Sequence, residues 1–202
     1  MGIEHFAEGA GADHLHLLGV TKPANVDAQR NQLYTAEYGQ GGWIQSDEAA
    51  GKKISLNGAR DLVGEAIHHH AMDEIPGIEN VRANYAPKTD VAFNKNLRMR
   101  DARGRKRQNI GGMVTDEQSW SGKPNRLLIN PKVTGTALDA GGVTHEATHM
   151  ILHGGQFGGV GHNWAMARLH VHLVRKILGN ESANALKEHY DKNGVDFGGG
   201  SI

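Results

Sequence analysis

Residues 142–164 read GVTHEATHMILHGGQFGGVGHNW, and the rest of the chain is best read outward from them. The stretch holds His145, His149, His153 and His162, with Glu146 directly after the first and a glycine-rich run before the last. His145-Glu146-Ala147-Thr148-His149 is an H-E-x-x-H pattern. Residues four apart lie one turn apart on one helix face, so both imidazoles reach the same point. Glu146 then stands beside that point and reaches a water there without being a ligand. Neutral imidazoles suit zinc, and a catalytic zinc keeps one position open for water. A chain of this composition would contain the pattern by chance about 0.05 times. Val143, Ile151 and Leu152 give the segment the apolar side of a buried helix. The plainer alternative is an amphipathic helix whose histidines are satisfied at the surface.

Two histidines hold a catalytic zinc poorly, so a third ligand is expected. His153 continues the four-residue spacing, but it lies two turns beyond His145, roughly 12 Å along the axis. It is expected to support the site from behind a ligand, to lie on its rim or to be an ordinary helix histidine. An H-E-x-x-H-x-x-G-x-x-H arrangement is excluded, because Leu152 and Gly155 stand where its glycine and third histidine belong. His162 follows a glycine-rich connection able to turn sharply at a helix end. The expected ligands are therefore His145, His149 and His162, around one zinc per chain; the alternative for His162 is a polar helix cap. His170 lies about two turns too far along the next helix to join them. Glu146 would be the general base of a peptide or amide hydrolysis. Asp139 is a candidate to orient a ligand or to cap the helix. Trp164 is a candidate to pack over the metal cleft or simply to fill core.

At 202 residues with 38% hydrophobic content, the chain suits one domain. Lys+Arg and Asp+Glu are both 22, so overall charge points to neither nucleic acid nor membrane. The absence of cysteine excludes disulfides, thiolate zinc ribbons and cysteine nucleophiles. The first residues lack a basic segment followed by an apolar core, and no apolar run approaches the roughly 20 residues of a membrane span. A cytoplasmic protein is expected, with association with a phage particle left open.

The expected organisation is an irregular arm over 1–22, one domain over 23–197 and a loose tail over 198–202. Helices are expected over 23–39 and over 55–73, the second capped by Ser55 or Asn57 and burying Leu62, Val63, Ala66 and Ile67. Gln40 to Trp43 reads as a turn into a short strand. Val81 to Tyr85 reads as a strand, and Val91 to Met99 as pairing with Ile110 to Thr115 around Arg103-Gly104. Arg126 to Asn130 reads as a strand along which an extended substrate could lie. Helices are expected again over 136–153, 163–178 and 182–193. Helices, a small antiparallel sheet, then helices make an α+β fold.

An H-E-x-x-H helix, a gap of about a dozen residues, then a histidine opening a new helix resembles the SprT-like zinc metallopeptidases. A narrower resemblance is to the actinobacterial and actinophage metallohydrolases that pair H-E-x-A-H with a later A-H-G-P-E-F. Asp27-Ala-Gln-Arg30-Asn-Gln-Leu-Tyr34-Thr-Ala-Glu37 is similar to that family's opening helix, D-x-Q-R-x-x-V-Y-x-A-E. Ala185 to Tyr190, with Gly194-Val195, is similar to its closing helix and turn. The resemblance spans roughly residues 25–197, specific at the site and loose elsewhere. It implies a minimal zincin-like α+β domain, zinc, hydrolase chemistry and a peptide or protein substrate, without saying which. This chain departs where relatives carry an acid three places after the second motif's histidine, for Ala165 stands there.

Residues 95–107, KNLRMRDARGRKR, form a basic cluster. Arg103, Arg105, Lys106 and Arg107 could contact nucleic-acid phosphates; the alternative is a solvated hairpin that keeps an edge strand soluble. The competing functional class is a non-catalytic protein, phage- or DNA-associated, whose metal only knits helices together.

Overall fold

The computed structural model describes residues 29–71, 78–100, 106–109, 112–114, 125–154 and 161–198. Helix α1 spans Arg30–Tyr38, followed by short helices α2 (Trp43–Ser46) and α3 (Glu48–Gly51). Asp47 caps α3, its Oδ1 accepting from the Ala50 N–H at 2.8 Å. Strand β1 (Lys53–Ile54) leads to α4 (Leu56–Glu65), which continues as a π-helical turn over Ala66–His70. Ser55 caps α4 through the Gly58 N–H, and Leu62, Val63, Ala66 and Ile67 are buried as their spacing predicts. Helices α5 (Glu79–Asn84) and α6 (Pro87–Asp90) precede strands β2 (Val91–Phe93), β3 (Arg98–Arg100), β4 (Lys106–Asn109), β5 (Gly112–Val114) and β6 (Leu127–Ile129). Then come α7 (Pro131–Thr134), β7 (Leu138–Asp139), α8 (Ala140–Gly154), α9 (Trp164–Ile177) and α10 (Asn180–Lys192).

The fold is α+β, helix-rich with small sheets. Several local expectations are corrected. The central sheet runs β2-β6-β5 and is mixed: β2 pairs parallel to β6, and β5 antiparallel to it. The segments expected to pair with each other, 91–93 and 112–114, therefore flank β6 on opposite sides. β3 pairs instead with β4; the Arg103-Gly104 turn lies outside the described residues. With both edges of β6 occupied, residues 127–129 have no edge to offer an extended substrate. Val81 to Tyr85 is helical up to Asn84, because Ile78 and Val81 bury at a three-residue spacing while 82–84 are exposed. The segment after Gly42 is the helical turn α2, where the Trp43 Nε1–H donates to the Ser182 carbonyl at 3.1 Å.

Two apolar cores are joined by one helix. The first gathers α4, its π turn, β2, β6 and α8 with Met166, Leu169 and Leu173 of α9. The second gathers α1, α2 and α10 with Ala167, Val171 and Val174 from other faces of α9. Trp164 to Val174 are consequently all buried, as expected of a helix covered all round. On α8 the buried Thr144 and Thr148 hydroxyls donate back to the Ala140 and Thr144 carbonyls, each at 2.9 Å.

Gly141, in the first turn of α8, marks where that helix meets α2 and α3. A Cβ there would stand 2.9 Å from Trp43 Cζ3 and 3.1 Å from both Ala50 Cβ and Ile44 Cγ1. Gly141→Ala is therefore expected to destabilise by about 1–3 kcal/mol through overpacking. A lowered urea midpoint at unchanged slope checks this.

A candidate metal centre

The first expected ligands come from α8. His145 and His149 are both buried, one turn apart on the helix. The third comes from the entry to α9. His162 precedes Asn163, whose Oδ1 accepts from the Ala165 and Met166 N–H groups at 3.0 and 3.2 Å and so caps the helix. The cap role belongs to Asn163 and leaves the His162 ring for other use. The Gln29 N–H donates to the His162 carbonyl at 2.9 Å, which ties this corner to the start of α1. Gln29 in turn exchanges two hydrogen bonds with the backbone of Asp196, at 2.8 and 2.6 Å.

These elements bring the three histidines together. The His149 and His162 Nε2 atoms are 3.2 Å apart. Ring centroids lie 4.9 Å apart for His145 and His149, and 5.5 Å for His145 and His162. Together the three offer ligand atoms within 4.8 Å of one another, a buried group that could hold a metal ion. Two ligand atoms on a tetrahedral ion with bonds of 2.0–2.1 Å stand about 3.3 Å apart. The His149–His162 pair already has that spacing. His145 Nε2 is buried without a hydrogen-bond partner, and a buried polar atom in that state calls for an explanation. Burial, reinforced by the neighbouring His145 and His162, holds His149 well below the usual imidazole range, hence neutral and able to ligate.

Glu37 was not among the residues the sequence singled out for the site. It projects from α1 with no exposure at all, and its Oε2 approaches His145 Nδ1 to 2.7 Å. Neither of those two atoms completes a hydrogen bond of full geometry, so the contact is one of charge and proximity. Tyr190, from α10, donates its hydroxyl to Glu37 Oε1. His170 Nδ1 lies 2.8 Å from the Tyr190 oxygen and 3.4 Å from Glu37 Oε1. Glu37, His145 and His170 make a second buried group of metal-ligating type. Burial pushes the Glu37 carboxyl up, but the facing His145 and His170 outweigh it and hold Glu37 well below the usual range. For His145, burial acts downward and the Glu37 charge prevails, raising it. His170 is lowered by its burial, which the Glu37 charge only partly offsets. As expected, His170 does not join His149 and His162, yet its ring centroid is 5.4 Å from that of His145.

Glu146 is half-buried at the edge of the group. Its carboxylate packs on β5: a Cβ added at Gly112 would lie 3.2 Å from Oε1, so glycine there leaves the carboxylate its place. Burial raises its pKa, His145 lowers it and Glu37 raises it, with a net upward shift. Tyr34 lies across the histidines, its ring centroid 4.8 Å from that of His162 and 5.7 Å from that of His145. The Arg30 guanidinium carbon is 5.5 Å from the Tyr34 centroid.

Of the other candidates, His153 is half-buried, its ring 6.5 Å from that of His149 and outside both ligand groups. Asp139 lies on β7, paired to Lys53 Nζ at 2.6 Å. Trp164 is a buried residue of the first turn of α9. At position 165 stands a buried alanine; the carboxylate that meets His145 comes from α1. Lys106 and Arg107 fall on β4, while Arg103 and Arg105 lie outside the described residues. Among the described residues no helix is long and apolar enough to cross a membrane.

No family model, curated protein or solved structure matches the chain.

Proposed function

We propose that this protein is a zinc-dependent hydrolase of minimal zincin-like type, acting as a metallopeptidase. The observation that carries the reading is the buried His145 ring, neither of whose nitrogens completes a hydrogen bond, grouped within 4.8 Å with His149 and His162, whose Nε2 atoms have the mutual spacing of ligands on one ion. His145, His149 and His162 would hold the metal; three histidines with one open position suit zinc. Bound there, zinc supplies a lowered water pKa and a polarised carbonyl.

The chain's own groups supply the rest. Glu146 stands one residue from the first ligand, and its raised pKa suits a group that accepts a water's proton and returns it to the leaving amine. Edge strand β5 has a partner on one side among the described residues and lies against Glu146. An extended peptide adding there would bring a scissile bond past that carboxylate. On this reading the substrate strand would lie along 112–114 rather than along 126–130.

The test is metal content by plasma mass spectrometry on untagged protein, for the natural chain and for His162→Ala. One zinc per natural chain, lost or sharply weakened in the variant, is the expected result. No zinc in the natural chain after loading and dialysis would sink the reading.

A further inference from the structure

We infer that Glu37 is the positioning residue of this centre: it holds His145 by Nδ1 so that Nε2 faces the ion, and Tyr190 and His170 hold Glu37 in turn. The inference rests on the reading of His145 as a ligand. Glu37 could instead ligate an ion of its own with His145 and His170, since the three have suitable atoms close together. The distances decide against that. Glu37 Oε2 and His145 Nδ1 are 2.7 Å apart, shorter than the about 3.3 Å between two ligands of one tetrahedral ion. The contact has the length of a charge-assisted hydrogen bond. Its other oxygen, Oε1, is taken by the Tyr190 hydroxyl.

Proton accounting gives the same direction. The Tyr190 O–H is committed to Glu37, so its oxygen accepts, and His170 Nδ1–H is the donor 2.8 Å away. His145 Nδ1 stands 2.7 Å from the remaining carboxylate oxygen, close enough for its proton to be shared with Oε2 after a small turn of the ring. His170, Tyr190 and His145 are thus arrayed around one negative charge, with Tyr190 donating to Oε1 and His145 facing Oε2. With Nδ1 engaged by Glu37, Nε2 is the His145 atom left to ligate together with the neighbouring His149 and His162. Metal-bound histidines generally pass their other ring N–H to such a partner, which fixes tautomer and ring orientation. The arrangement also makes α10 part of the centre, because Tyr190 reaches it from the far end of the chain.

The test pairs two readouts. Long-range nitrogen NMR of the metal-free natural chain is expected to show His145 protonated at Nδ1; a proton on Nε2 alone would overturn the inference. Zinc affinity by chelator competition is expected to fall about 10–100-fold in Glu37→Gln, with a changed cobalt(II) absorption spectrum and an unchanged circular dichroism spectrum. Tyr190→Phe, which removes only the donor to Glu37, should weaken zinc less and in the same direction. Unchanged affinity in Glu37→Gln overturns the inference, and if that variant does not fold, unchanged affinity in Tyr190→Phe does so. Two zinc ions per natural chain, with one lost in Glu37→Gln, would make Glu37 a ligand and also overturn it. A natural chain that takes up no zinc removes the three-histidine reading and this inference with it, whereas zinc uptake with unchanged affinity in Glu37→Gln removes this inference alone.

Discussion

Glu146→Gln should leave the fold and the bound zinc in place while turnover of a peptide substrate falls about 10²–10⁴-fold, the usual contribution of a positioned acid–base group. The amide has nearly the shape of the carboxylate, so the packing against Gly112 survives. The side chain is outside the three-histidine group, so metal affinity should change little. What disappears is the ability to take a proton. Initial rates on a peptide library, alongside metal content, check the expectation. Equal turnover in the two chains would remove Glu146 from the chemistry. A natural chain that holds zinc firmly and turns over no peptide would favour the competing class, in which the metal joins α8 to the entry of α9 without catalysis.

Zinc should also stabilise the folded chain strongly, since the ligands converge only when α8 and the α9 entry are packed. A ligand that binds the native state alone adds about 4 kcal/mol at a free concentration 1,000 times its dissociation constant. For a domain of this size each kcal/mol moves the melting temperature by about 2–4 °C. A rise of about 8–16 °C on zinc loading is expected, and it should shrink in His149→Ala. Differential scanning calorimetry with and without chelator measures it. A melting temperature indifferent to zinc would mean that no ion is held in the buried group.

The three-histidine cluster was legible because its information is local. Spacing along a helix fixes the relation of His145, Glu146 and His149, and a glycine-rich return fixes the direction of His162. Glu37 carries no such spacing signal. Its only mark is a carboxylate beside Leu33 and Ala36 on the face that α1 buries, and a buried acid without a partner is costly enough to imply one. The partner lies on α8, more than a hundred residues away, and its supports lie on α9 and α10. No periodicity connects them. His170 was set aside for its distance from His162, which agrees with its place outside the three-histidine cluster and is silent about Glu37.

Helix boundaries in α4, α9 and α10 followed from caps and apolar stripes. The strands did not, because three-residue strands carry too few alternations to reveal a partner. The parallel pairing of β2 with β6, across the intervening hairpin of β3 and β4, depends on how the core closes rather than on any turn residue. Trp43 shows the same limit: its indole N–H finds the Ser182 carbonyl, and that contact, not the preceding glycines, selects a helical turn.

The placement of α9 between two cores also bears on how the chain can change over generations. From Trp164 to Val174 every position is buried, those of one face against the first core and those of the other against the second, so the helix has no side left free to vary. Glu188, Asp191 and Lys192 on the outer side of α10 are exposed and meet only neighbouring charges of the same helix. Lineages of this protein are free to drift on that outer surface, while the segment that carries His170 and follows His162 sets the pace at which the buried histidine cluster can be remodelled.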